Sequence, residues 1–123
     1  MTDRELLEMA AKAAGYDPSH PWNAARMTFD PPVIGLAIDG VSTCWNPLEN
    51  DGDALRLAVK LRLLVDVPSR TAEPLINVLA PKVADVYEPI GTDLYGATRR
   101  AIVRAAAEIA AAPVNNKLRT SEQ

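Results

Sequence analysis

Apolar positions recur with a helical period at the two ends of the chain and in one central segment, and in short runs elsewhere. Leu6, Leu7, Ala10, Ala13 and Ala14 follow Thr2 and Glu5. The T-x-x-E spacing predicts a capping box, in which each side chain takes a backbone N–H of the other residue. Gly15 supplies a left-handed stop, and Asp17-Pro18 prevents continuation. From Ser19 to Pro32 no period is clean, and a short strand is expected near Arg26–Phe29. Val33–Ile38 and Val41–Trp45 are runs of strand character joined by Asp39-Gly40. A two-residue Asp-Gly link favours positive φ at both positions, so a β-hairpin is expected, ended by Asn46-Pro47. Asp51 is the natural cap of a second helix, with Asp53 at the positive end of its dipole. Its stripe is Ala54, Leu57, Ala58 and Leu61, widened by Leu55 and Val59, which predicts a deeply packed helix. Leu63–Val67, Leu75–Leu79 and Val83–Tyr87 read as strands. Thr92 or Asp93 caps a third helix running to about Ala112. That helix buries Ile102, Val103, Ala106, Ile109 and Ala110. Outward it carries Arg100, Arg104 and Glu108, with Arg104 and Glu108 paired at i, i+4. Its many alanines predict close approach to the sheet.

Three helices and four or five short strands make an α/β chain of the α+β kind. The expected arrangement is a small, mostly antiparallel sheet with helices packed on it. Residues 1–112 form one domain in this reading, and 113–123 a polar, aperiodic, flexible tail.

The chain has 123 residues, 48% of them hydrophobic and 24% charged. That is enough for one core and too apolar for disorder. No apolar run approaches the roughly 20 residues of a membrane helix. Met1–Glu8 is acidic and amphipathic, unlike a secretory signal. The net charge of −3 sits entirely in residues 1–62, which hold six basic and nine acidic side chains; the remainder holds seven of each. An acidic chain is not an ordinary nucleic-acid binder. One cysteine excludes an internal disulfide, and one histidine excludes clusters of several imidazoles.

Candidate chemistry is sparse. Glu49, Asp51 and Asp53 have the composition of a hard-cation site, but they miss the calcium-loop spacing, and capping accounts for both aspartates. No metal and no cofactor is expected. His20 and Cys44 offer a dyad only if the fold joins them, and a lone cysteine reads first as a small buried hydrophobe. The glycines form no phosphate loop. Trp22 and Trp45 read as core or core-edge residues. Trp45 has a second reading: with Asn46, Pro47, Glu49, Asp51 and Asp53 it forms a rigid turn suited to anchoring a partner, provided the ring is exposed. Arg99, Arg100 and Arg104, with Tyr95, form a second candidate patch for an acidic partner or a small ligand, against a plain solvated helix face.

The stretch Trp45–Leu61, WNPLENDGDALRLAVKL, resembles the signature of the phage ABA sandwich family, small proteins of phages and prophages. Thr2–Gly15 and Ala97–Ile109 are similar to that family's first and last helices. The resemblance implies an α-β-α layered fold, a bacteriophage or prophage origin and the cytoplasm of a bacterial host. It implies no activity. Pro21–Val41 and Pro68–Pro89 depart from the family pattern. The functional expectation is a non-enzymatic accessory protein that binds a host protein, one form being inhibition of a defence system such as CRISPR. The alternative is a binder that sequesters a small ligand or nucleotide signal.

Overall fold

A computed structural model describes residues 1–69 and 74–112. The expected tail at 113–123 lies outside the described residues. The elements are α1 (Asp3–Ala13), α2 (Pro21–Arg26), β1 (Leu36–Ile38), β2 (Ser42–Trp45), α3 (Asp51–Lys60), β3 (Leu64–Asp66), β4 (Leu75–Leu79), β5 (Val86–Pro89) and α4 (Leu94–Ala111). The class is mixed α+β, with four helices among the described residues where the sequence predicts three. The strands form two antiparallel sheets, β1-β2 and β3-β4-β5, rather than one.

The α1 capping box is present: Glu5 N–H donates to Thr2 Oγ1 at 3.1 Å, and Thr2 N–H donates to Glu5 Oε1 at 3.0 Å. Gly15, at φ +83°, ends the helix, with Tyr16 N–H bonded to the Ala11 carbonyl. That is the left-handed stop glycine tolerates best.

The segment expected as a strand at Arg26–Phe29 is instead the end of α2 and the turns after it. His20 caps α2 by accepting the Trp22 N–H on Nδ1 at 3.1 Å, and Pro21 begins the helix. Proline suits that first position, where its missing N–H would have no partner anyway.

The hairpin forms with a three-residue link, since Ile38 pairs with Ser42. Only Gly40 has positive φ. The link is therefore not the two-residue turn that Asp39-Gly40 predicts. Residues 83–85 do not join β5, whose pairing begins at Val78↔Val86. Lys82, at φ +64°, turns the chain just before them.

The core gathers around α4. Ala101, Val103, Ala105 and Ala106 are fully buried, together with Leu7, Leu36, Ile76 and Val78. Alanines at these positions let α1 and the sheet approach α4 closely, as expected. Both α1 and α3 pack against α4, and α4 packs on β4 and β5. The long helices are thereby used on one side. The other face of the three-stranded sheet carries exposed Leu64, Leu75 and Tyr87. The second helical layer of an α-β-α sandwich is thus not found among the described residues. Among them, no helix is long and apolar enough to cross a membrane.

Two buried polar side chains hold the irregular segment before β1. Asn23 donates to the Pro18 and Ala37 carbonyls at 2.8 and 3.1 Å and accepts the Ala37 N–H at 2.7 Å. Its carboxamide thus acts as a neighbouring strand would. Arg4 donates to the Asn23 and Val33 carbonyls at 3.1 and 2.6 Å. Burial pulls its pKa below the ordinary value, opposed by nearby Glu8.

Candidate functional site

The turn from Trp45 to Asp53 is packed inward. Trp45 is 3% exposed and meets Tyr16 edge-on, with ring centroids 5.7 Å apart. Pro47 is buried too. Asn46 N–H donates to Asp53 Oδ2 at 3.0 Å, and Asn46 Oδ1 accepts the Leu48 N–H at 3.1 Å. Asp53 also takes Arg56 at 2.8 Å and is itself buried. The α3 cap is Asn50, which accepts the Asp53 N–H at 2.8 Å, so Asp51 is not the cap. The exposed-anchor reading of Trp45, Asn46, Pro47 and Asp53 is corrected accordingly: these residues close a turn on the core. Of the predicted anchor residues, Glu49 and Asp51 stay exposed on it, beside the exposed cap Asn50.

The arginines of α4 do not converge. Arg99 donates to the Leu48 carbonyl at 2.8 Å and to Asp51 at 2.6 Å. Arg100 pairs with Asp3 at 3.0 Å. Arg104 donates to the Tyr87 carbonyl at 2.9 Å and pairs with Glu88 at 2.7 Å, in place of the Glu108 partner expected at i, i+4. Each arginine ties α4 to a different element. A patch with free guanidinium forks is therefore not what the sequence built there.

The His20–Cys44 dyad is not assembled either. His20 Nδ1 accepts the Trp22 N–H, and Nε2 faces Asp39 at 3.6 Å. Both ring nitrogens are thus turned to groups other than the Cys44 thiol. Cys44 is exposed, against the buried-hydrophobe expectation. Trp22, expected in the core or at its edge, is 54% exposed, with Arg26 over its ring at 5.9 Å.

One groove does bring candidate residues together. It lies between α3, β3 and α4, with a volume of about 430 Å³. Ala54, Leu55 and Ala58 form one wall, Val65 and Val67 another. Leu94, Tyr95 and Ile102 of α4 complete it, and the Asp51–Arg99 ion pair stands among its lining residues. Tyr95 is 71% exposed and Leu55 64%, with Val67 and Leu94 exposed as well. Of the predicted site residues, Asp51, Tyr95 and Arg99 meet here. Leu55, Val67 and Leu94 were missed. The signal for Leu55 was its place beside the inner stripe of α3, where an apolar arc too wide for the core leaves one edge in water. Compared with protein families, curated proteins and solved structures, the chain finds no match, so its site is read from its own geometry.

Proposed function

We propose that this is a non-enzymatic binding protein that occupies the surface of a partner protein through the groove between α3, β3 and α4. The observation that carries the reading is the gathering of Leu55, Val67, Leu94 and Tyr95, all exposed, around one apolar cleft. Large apolar side chains clustered in water mark a surface meant to be covered. Tyrosine at such a rim is a usual anchor, because it adds contact area with little rotational freedom to lose. The phage setting, a host protein as partner, the bacterial cytoplasm and inhibition of a defence system such as CRISPR rest on the sequence resemblance alone.

A second reading has support from the cleft's size: about 430 Å³ also suits a small apolar ligand. A nucleotide signal is less well served, because Arg99 is already engaged by Asp51 and a carbonyl.

The test places a photoreactive phenylalanine analogue at Tyr95 in bacterial cells. The expected result is one discrete protein adduct that disappears with Leu55→Glu and is not formed from the same analogue at Glu108. Equal adducts from both positions, or none from Tyr95, would remove the reading. A retained small molecule in native mass spectra would favour the second.

A further inference from the structure

A sheet edge presents a row of unpaired N–H and C=O groups. This chain covers backbone groups on three of its strands with side chains. On β1, Asn23 takes both the N–H and the carbonyl of Ala37. On β2, Ser42 Oγ accepts the Cys44 N–H. On β5, Arg104 donates to the Tyr87 carbonyl, and Pro89 has no N–H to offer. The remaining edge is β3, which among the described residues pairs with β4 alone. No side-chain or turn hydrogen bond reaches Leu64, Val65 or Asp66 among the described residues. Nor is the strand blunted by lysine, proline or a bulge. Its register runs unbroken through Leu64↔Leu79, Val65↔Val78 and Asp66↔Asn77.

The apolar groove opens beside this bare edge, with Val65 and Val67 on its wall. We infer that the groove takes an extended segment of the partner, which adds to β3 as a further strand. The inference rests on the reading of the groove as a binding surface. Only an extended backbone satisfies a strand's row of donors and acceptors. In such a strand every second side chain points to the groove, where Ala54 and Ala58 leave room for it. The alternate side chains fall on the opposite face, where Asp66 is exposed. The segment therefore carries apolar residues at alternate positions and a basic residue opposite Asp66. Main-chain bonds supply affinity, and the groove supplies selection.

The probe is a short acetylated and amidated peptide alternating valine with lysine, titrated into the full chain by NMR. N-methylation of alternate residues removes the N–H groups of one peptide edge at a time. Methylation in one phase is expected to weaken binding by about tenfold or more, while the other phase binds as the parent does. The β3 amides should gain exchange protection. Leu55→Lys, at an exposed position, should weaken the parent peptide without lowering the melting temperature. Equal binding by both methylated phases would overturn strand addition while leaving the groove reading standing. No binding by the parent peptide would overturn it as well. So would protection of β3 by self-association without peptide, which would assign the edge to a second copy. Phase-dependent binding that ignores Leu55→Lys would remove the groove reading, and this inference with it.

Discussion

At Trp45 the indole is enclosed and meets the Tyr16 ring, so truncation leaves a cavity that the turn at Asn46-Pro47 is too rigid to fill. Trp45→Ala is expected to destabilise by about 3–5 kcal/mol, read as a fall in the urea midpoint. A folded variant with unchanged midpoint would return Trp45 to the surface. Arg62 presents the opposite case. It follows α3 at φ +56°, with Leu63 N–H bonded to the Ala58 carbonyl, a position that glycine fills best. Relief of the left-handed strain exceeds the added freedom of the unfolded chain, so Arg62→Gly should raise stability by about 0.5–1 kcal/mol. Glu5 gives a pH signature. The Thr2 N–H bonded to its carboxylate holds its pKa below the ordinary 4.5. A depressed acid stabilises the fold fully above its unfolded value, and that contribution is lost as pH falls through the folded value. The stability gap between wild type and Glu5→Gln should therefore narrow as pH is lowered from about 6 to about 3. A gap independent of pH would show that the carboxylate does not act through its charge.

At the scale of elements, what the sequence made legible were the long helices and the strands with local turn signals. Thr2 with Glu5, and Asp93 ahead of Gly96, are local signals, and the helices they open are where those signals place them. The segment after Ser19 was not legible, because its order comes from distant partners. Asn23 reaches Ala37, and Arg4 reaches Val33, and neither contact leaves a period in the sequence. α2 itself is six residues long and begins on a histidine cap, too short for an apolar stripe to declare it. Asn23→Leu keeps the volume and removes three hydrogen bonds, leaving the Ala37 N–H and carbonyl buried without partners. Each orphaned group costs about 1–3 kcal/mol. The variant should lose at least that much stability, and its amide exchange should quicken first at Ala37. Slow exchange there in the variant would mean that another group covers β1.

Across the whole molecule, the alanines of α4 and the apolar rim of the groove divide the surface into two kinds of position. The first kind was legible in part: Ile102, Val103 and Ala106 of the predicted stripe are buried, but Ile109 and Ala110 are half-buried, and Ala101 and Ala105, outside that stripe, are fully buried. The second was not, because a sequence does not say which edge of a wide apolar arc meets water. Leu55 and Val59 read as packing residues of α3, yet both are exposed; Trp45 read as core or core-edge and, second, as an exposed anchor, and it is enclosed as the first reading has it. The arginines escaped for a related reason. Arg99 reaches Asp51 and Arg100 reaches Asp3 across the fold, so a row that looks like a basic face is spent on internal pairs. Exposed pairs of this kind contribute little each, so the fold depends on the alanine contacts more than on the arginines. Two substitutions separate these roles. Ala105→Leu inserts bulk where neighbouring atoms already touch, and overpacking of this sort costs about 1–3 kcal/mol. Its melting temperature should fall, and the partner should still bind whatever fraction stays folded, because the groove lies elsewhere on the helix. Leu55→Glu removes apolar surface that the fold does not cover, so its melting temperature should hold while binding at the groove is lost. Loss of stability with Leu55→Glu would make the leucine a core residue. Retained binding by the stable variant would move the interface away from α3.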